Sequence, residues 1–148
     1  MGAVYRLAEH EDVSRLYDIR RRSILELAPP AIPAVEAQAW AERLTLGGME
    51  RKLRELEVWV AERGGIVAGW GAIRGDMLEG LYAAPKSAGQ GVGAGLLDRL
   101  EGLMRGRGIQ AVRAEASSNA RDFYLRRGYR AKGPQTPKGA WPIAKEFP

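Results

Sequence analysis

Apolar positions along the chain change period several times, and each change marks an element. Val4 to Ala8 is a short apolar stretch, read as a first strand, and that reading extends back to Met1. Val13, Leu16, Tyr17, Arg20, Ile24 and Leu27 then recur at helical spacings, until Pro29-Pro30 ends the run. Pro33 opens a second helix through Trp40 and Leu44; Gly47-Gly48 interrupts it, and Met49 to Leu56 predicts a further turn or two. Glu57–Arg63, Ile66–Arg74 and Met77–Ala83 read as strands joined by Gly64-Gly65 and Gly75-Asp76. Turns that tight make them antiparallel neighbours. Leu96, Leu97, Leu100, Leu103 and Met104 mark an amphipathic helix behind a glycine-rich loop, closed by Gly106 and Gly108. Ile109–Ala116 predicts a strand, Asn119–Arg127 a short helix stopped by Gly128, and Tyr129–Gly133 with Trp141–Phe147 a final hairpin. The order β-α-α-β-β-β-α-β-α-β-β predicts an α/β fold with a mixed sheet, in one domain over residues 1–148.

Composition narrows the chemistry. With no cysteine and a single histidine, His10, the chain has no disulfide, thiolate nucleophile or His-rich metal site, and no metal is expected. His10 is read as a polar residue at the start of the first helix. No apolar run approaches the roughly 20 residues of a membrane helix, so the expectation is a cytoplasmic protein with no membrane partner. The net charge of +5 is unevenly placed: residues 1–85 hold 11 basic and 13 acidic side chains (−2), and residues 86–148 hold 12 and 5 (+7). The C-terminal part therefore attracts an anion. Its arginines interleave with apolar residues and form no nucleic-acid module, so nucleic acid is not expected as a partner.

Ala88-Gly89-Gln90-Gly91-Val92-Gly93-Ala94 lies between the fourth strand and the amphipathic helix. Glycines at alternate positions let backbone approach a ligand closely. The first amides of a helix have no intrahelical partner, and with the helix dipole they make an anion site. A diphosphate suits it. The loop lacks the Gly-Lys-Ser/Thr of a P-loop, which excludes nucleoside triphosphate hydrolysis. Gly89-x-Gly91-x-x-Ala94, with Glu115 about 20 residues on, matches a dinucleotide fingerprint on paper. Against it, Ala83–Ala88 separates strand from glycine, and three antiparallel strands come first.

Pro85-Lys86-Ser87-Ala88-Gly89-Gln90-Gly91-Val92-Gly93-Ala94-Gly95-Leu96-Leu97 resembles the acetyl-CoA pyrophosphate loop of the GNAT (GCN5-related N-acetyltransferase) superfamily. Gly91 and Gly93 match that family's Arg/Gln-x-x-Gly-x-Gly/Ala pattern; Ala88 stands where it has Arg or Gln. A second segment, Asn119-Ala120-Arg121-Asp122-Phe123-Tyr124-Leu125-Arg126-Arg127-Gly128-Tyr129, is similar to the family's Asn-Ala-x-x-Phe-Tyr-x-x-x-Gly-Phe/Tyr stretch. Arg6-x-Ala8 followed by Asp12 is a weaker echo.

The resemblance implies an acetyl-CoA-dependent N-acetyltransferase acting on a primary amine, small molecule or peptide, by direct attack on the thioester. Acetyl-CoA would lie where strands four and five splay. Its pyrophosphate would rest on Gly89, Gln90, Gly91, Val92, Gly93 and Ala94, and its pantetheine arm would pair with backbone of Leu81, Tyr82 and Ala83. An amide near Ala83 would polarise the thioester carbonyl. Asn119 and Phe123 would contact the cofactor, and Tyr124 would protonate the leaving thiolate. Glu79, expected on one face with Met77 and Leu81, and Glu115, near the end of strand five, are the candidate bases. Tyr17, Trp40, Trp59, Trp70 and Trp141 are aromatic candidates for acceptor recognition or core, and the −2 of residues 1–85 is compatible with a cationic amine. The alternative is a non-catalytic acyl-CoA-binding module on the same fold. An exposed final hairpin would offer a second copy an edge for a homodimer.

Overall fold

The computed structural model describes residues 2–148, and Met1, included in the first-strand expectation, lies outside them. The strands are β1 (Val4–Leu7), β2 (Glu57–Arg63), β3 (Ile66–Arg74), β4 (Met77–Ala83), β5 (Ala111–Ala116), β6 (Arg130–Ala131) and β7 (Trp141–Glu146). The helices are α1 (Val13–Leu27), α2 (Ala34–Glu42), α3 (Leu46–Glu55), α4 (Val92–Gly106) and α5 (Arg121–Leu125). All the strands join one sheet, in the order β1-β2-β3-β4-β5-β7-β6. The run β1 to β4 is antiparallel, β4 meets β5 in parallel, and β7 lies antiparallel between β5 and β6.

The helix count between β1 and β2 is a correction: three helices stand there, not two. The break falls at Arg43–Thr45 rather than at Gly47-Gly48. Thr45 caps α3, its Oγ1 accepting the Gly48 N–H at 2.9 Å. A capped start tolerates both glycines in its first turn.

Each face of the sheet carries its own core. Leu16 and Ile19 of α1 and Met49 of α3 pack on Val58, Val60, Trp70 and Ala72. The indole N–H of Trp70 donates to the Leu16 carbonyl at 3.0 Å, so this buried donor is satisfied. On the opposite face Leu97, Leu100 and Met104 of α4 meet Ile73, Leu78, Val112 and Ile143. Two β3 glycines allow α4 to come this close. A Cβ on Gly69 would lie 2.7 Å from Val92 Cγ1 and 2.8 Å from the Tyr82 carbonyl oxygen; one on Gly71 would lie 2.7 Å from Leu100 Cδ1. This contact sets the start of α4 beside the end of β4.

Two smaller assemblies matter for the site. Ile24, Ala28, Ala37 and Ala41 form a cluster that ties α2 to the end of α1. Glu101 of α4, only 3% exposed, accepts from the Tyr129 hydroxyl at 2.7 Å and from Lys145 Nζ of β7 at 2.8 Å. That network fastens α4 to the last strand.

Candidate active site

β4 and β5 pair only at Met77↔Arg113 and Leu78↔Ala114. Beyond that point the strands diverge. The cause lies in β4: Ile73 pairs with Leu78 and Ala72 with Gly80, so Glu79 is an extra residue, a bulge. Bulges bend a strand and increase its twist. The bulge also corrects the expected alternation. Leu78 and Leu81, three residues apart, both pack toward α4, while Tyr82 turns to the α1 side beside Trp70, ring centroids 5.0 Å apart. Glu79 therefore does not share a face with Leu81.

The gap opens into a cleft of about 1040 Å³ lined by Glu79, Leu81, Tyr82, Glu115, Tyr124 and Trp40. The Ala84 N–H donates to Ala68 of β3 at 2.8 Å. Strand alternation then turns Tyr82 backbone groups to β3 and those of Leu81 and Ala83 to the gap, where β5 no longer pairs. Glu79 is ion-paired with Arg74 at 3.1 Å, its side chain 24% exposed, and Glu115 is exposed.

The glycine-rich loop sits at the start of α4. Gly89 (φ 76°) and Gly91 (φ 84°) adopt the left-handed conformation that glycine alone takes readily. The Gly95 N–H closes the first helical bond on Gly91 O at 2.9 Å, leaving the amides of Val92, Gly93 and Ala94 without intrahelical partners. The Gln90 N–H is engaged in a turn with Ser87 O at 3.2 Å. Its side chain accepts from Arg63 Nη1 at 2.7 Å and donates to Lys86 O at 3.2 Å. Arg63 thus stands beside a loop that carries alanine at 88. No local signal foretold this, because Arg63 reaches the loop from the end of β2.

Tyr124 lies at the other side of the cleft. The residue is 7% exposed, and its ring is held edge-on between Phe123 (centroids 5.2 Å) and Tyr129 (5.3 Å). Among the described residues its hydroxyl hydrogen-bonds no protein group. Burial, and then the nearby Tyr82, push its pKa well above the ordinary tyrosine range. Phe123 backs Gly93, which a Cβ would bring to 3.6 Å from the ring. Asn119 is exposed and accepts from Ser117 Oγ at 2.7 Å.

A family profile described as the acetyltransferase (GNAT) domain matches residues 28–141, more than half of the chain. The chain belongs to the GNAT acetyltransferase family. Among solved structures it is similar to the GCN5-related N-acetyltransferase of Rhodopseudomonas palustris, at 26% identity and a TM-score of 0.91, covering 99% of this chain and 97% of that one. PaiA N-acetyltransferase of Thermoplasma acidophilum, solved with coenzyme A, is 19% identical with a TM-score of 0.83, covering 99% and 100%. YncA of Salmonella typhimurium, solved with acetyl-CoA, is 22% identical with a TM-score of 0.65, covering 99% and 94%. At those identities the last two show the shared fold. No curated protein matches the sequence.

In this GNAT chain the lining of the cleft departs from the −2 balance of residues 1–85. Arg20, Arg43, Arg74 and Lys138 line it against Glu36, Glu79 and Glu115. Arg20 lies over the Tyr82 ring, 5.4 Å from its centroid. Of the five aromatic candidates Trp40 lines this cleft, while Trp70 belongs to the core. Among the described residues no cluster of His, Asp or Glu is placed to hold a metal, and no helix is long and apolar enough to cross a membrane.

Proposed function

We propose that this GNAT chain moves an acetyl group from acetyl-CoA to a primary amine of a small molecule or peptide, with residues 1–148 acting as one domain. The divergence of β4 from β5 carries the reading. It puts an unpaired strand edge and a tyrosine in one cleft, and the anion-ready start of α4 packs beside the end of that edge. The residues present fit acetyl-CoA. Amides of Gly89, Gly91, Val92, Gly93 and Ala94 would hold the pyrophosphate, with Arg63 adding positive charge through Gln90. Leu81 and Ala83 would pair with the amide-bearing pantetheine arm as an added strand, next to Tyr82.

The chemistry forms one N–C bond and breaks one C–S bond. Glu79, or Glu115, directly or through a water, takes the proton the amine loses. An amide near Ala83 steadies the charge developing on the carbonyl oxygen. Tyr124 donates its phenolic proton to the departing sulfur. Phe123 and Asn119 flank the donor on the α5 side. The test is heat-induced unfolding with and without acetyl-CoA, NADH serving as control, followed by thiol release over an amine panel. Specific binding raises the midpoint by mass action. No rise with acetyl-CoA overturns the reading, and a rise with NADH alone returns the loop to a dinucleotide. The second reading, an acyl-CoA-binding module without turnover, draws on Ala88; it expects the same rise and no thiol release with any amine.

A further inference from the structure

Beside the acceptor end of the cleft lies a second recess, of about 350 Å³, between α1 and α3. Arg20, Arg43, Arg51 and Lys52 line it with one carboxylate, Glu55. Arg20 and Arg43 line the large cleft as well, so the recess and the cleft share a wall.

This cluster is not balanced by the protein. Other cations have carboxylate partners, Arg6 with Asp12, Arg107 with Glu57, Arg113 with Asp76 and Lys145 with Glu101. Among the described residues Arg20, Arg43 and Lys52 have no carboxylate within ion-pair distance. Arg20 Nε is buried and has no hydrogen-bond partner. A buried donor without an acceptor is costly and rare in a folded protein. The guanidinium is aligned by stacking on Tyr82 instead, which fixes it without satisfying it. Lys52 is half-buried, and burial together with the charge of Arg20 pushes its pKa below the ordinary lysine range. The charges of Glu79 and Glu55 act on it in the opposite direction. Glu79, the proposed base, is thus within electrostatic reach of the cluster.

We propose that the acceptor is an amine bearing a second, anionic group, a carboxylate or a phosphate, held by Arg20, Arg43 and Lys52 while its amine faces Glu79. This rests on the acetyltransferase reading above and names its acceptor class. It reverses what the net charge of residues 1–85 implied. The anion supplies the acceptor that Arg20 Nε lacks and relieves the repulsion between Arg20 and Lys52. A guanidinium is suited to either anion, since its planar fork matches both.

The experiment compares matched amines at saturating acetyl-CoA by thiol release: amino acids against their α-amides, and phosphoethanolamine against ethanolamine. The anionic member of a pair is expected to have a kcat/KM about tenfold or more above its neutral partner, the range of one lost hydrogen bond to a charged group. Arg20→Gln and Lys52→Gln should each erase most of that preference, through KM. The two pairs separate carboxylate from phosphate. Equal use of both members, or a preference that survives both substitutions, overturns the proposal. A second measurement needs no turnover. With acetyl-CoA bound, inorganic phosphate or glutarate should raise the unfolding midpoint of the parent and not of Arg20→Gln. No rise, or a rise that persists in Arg20→Gln, also overturns it. Failure of acetyl-CoA itself to raise the midpoint sinks the enzyme reading instead, so the two failures are told apart.

Discussion

Replacing Tyr124 by Phe separates a catalytic hydroxyl from a packed ring. The substitution keeps the edge-on contacts of the ring with Phe123 and Tyr129, at 5.2 and 5.3 Å. It removes a hydroxyl that hydrogen-bonds no protein group among the described residues, so no partner is orphaned. Stability should therefore change by less than about 1 kcal/mol. The rate should fall much further. A positioned general acid contributes roughly 10²- to 10⁴-fold, which is about 3–5 kcal/mol of barrier. Burial raises the Tyr124 pKa, and this shapes the pH profile. An acid with a raised pKa stays protonated through the working range, so the parent should show no alkaline limb from this group. A weaker acid is also a poorer match to a thiolate whose conjugate acid lies near ~8.5 in water. The cleft offsets that mismatch, because a desolvated thiolate is raised in the same direction. The assay is thiol release at saturating acetyl-CoA, beside calorimetric acetyl-CoA affinity and urea unfolding. The expected outcome is a kcat lower by about a hundredfold or more, with affinity and unfolding midpoint unchanged. A kcat within about threefold of the parent would refute the acid role, and a large loss of stability would show the phenol to be structural.

Other consequences concern the scaffold. Gly69→Ala pushes a methyl against Val92 and the Tyr82 carbonyl; urea unfolding should register a loss of about 1–3 kcal/mol, and acetyl-CoA affinity should fall because the start of α4 and the edge of β4 both move. Glu101→Ala strips the acceptor from Lys145 and from buried Tyr129, and should cost about 3 kcal/mol while Glu101→Gln costs less; equal stabilities would contradict the network. Hydrogen bonds from Arg6, at 2.8 and 2.9 Å, hold Asp12 below the ordinary aspartate range. Below about pH 4 the unfolded chain then binds more protons than the folded one. The Arg6–Asp12 contribution is full above that pH and lost as pH falls through the lowered value, so Asp12→Asn should flatten the acid limb of a stability profile.

Elements bounded by local chemistry were legible. The limits of β2, β3 and β4 coincide with the expected ones because Gly64-Gly65 and Gly75-Asp76 are turns in their own right, with Gly64, Gly65 and Gly75 at positive φ. The glycine-rich loop and its helix were legible for the same reason. The α2–α3 boundary was misread because two adjacent glycines are a louder signal than one capping threonine. The bulge at Glu79 was not legible at all: it is a property of the pairing with β3, and no residue in Met77–Ala83 announces an extra position. Net charge is likewise a poor guide to the charge at the cleft. The −2 of residues 1–85 counts Asp12, Glu57, Glu62 and Asp76, whose charges are taken up by Arg6, Arg107 and Arg113 away from the cleft. What remains near the cleft includes Arg20 and Arg43, which line it, and Lys52, which lines the adjoining recess.

The opening between β4 and β5 therefore has causes within the sheet itself. At its closed end Arg113 grips Asp76 through two hydrogen bonds of 3.0 Å, and the Arg113 N–H donates to the Asp76 carbonyl at 2.9 Å. Three residues on, the extra residue at Glu79 turns β4 aside. Gly69 and Gly71 then admit α4 close enough for its free amides to flank the strand that has been released. A regular β4 would have kept its ladder with β5 beyond Leu78, and Leu81 and Ala83 would have had partners within the sheet. The same irregularity thus removes two backbone partners, opens the cleft, and leaves Glu79 in its lining, where the charge of Lys52 reaches it. Deleting the extra residue should restore strand pairing and close the site in a chain that still folds. Hydrogen exchange at Leu81 and Ala83 reads this directly: their amides should become protected in the deletion variant, and unchanged exchange would mean that the bulge does not hold the strands apart.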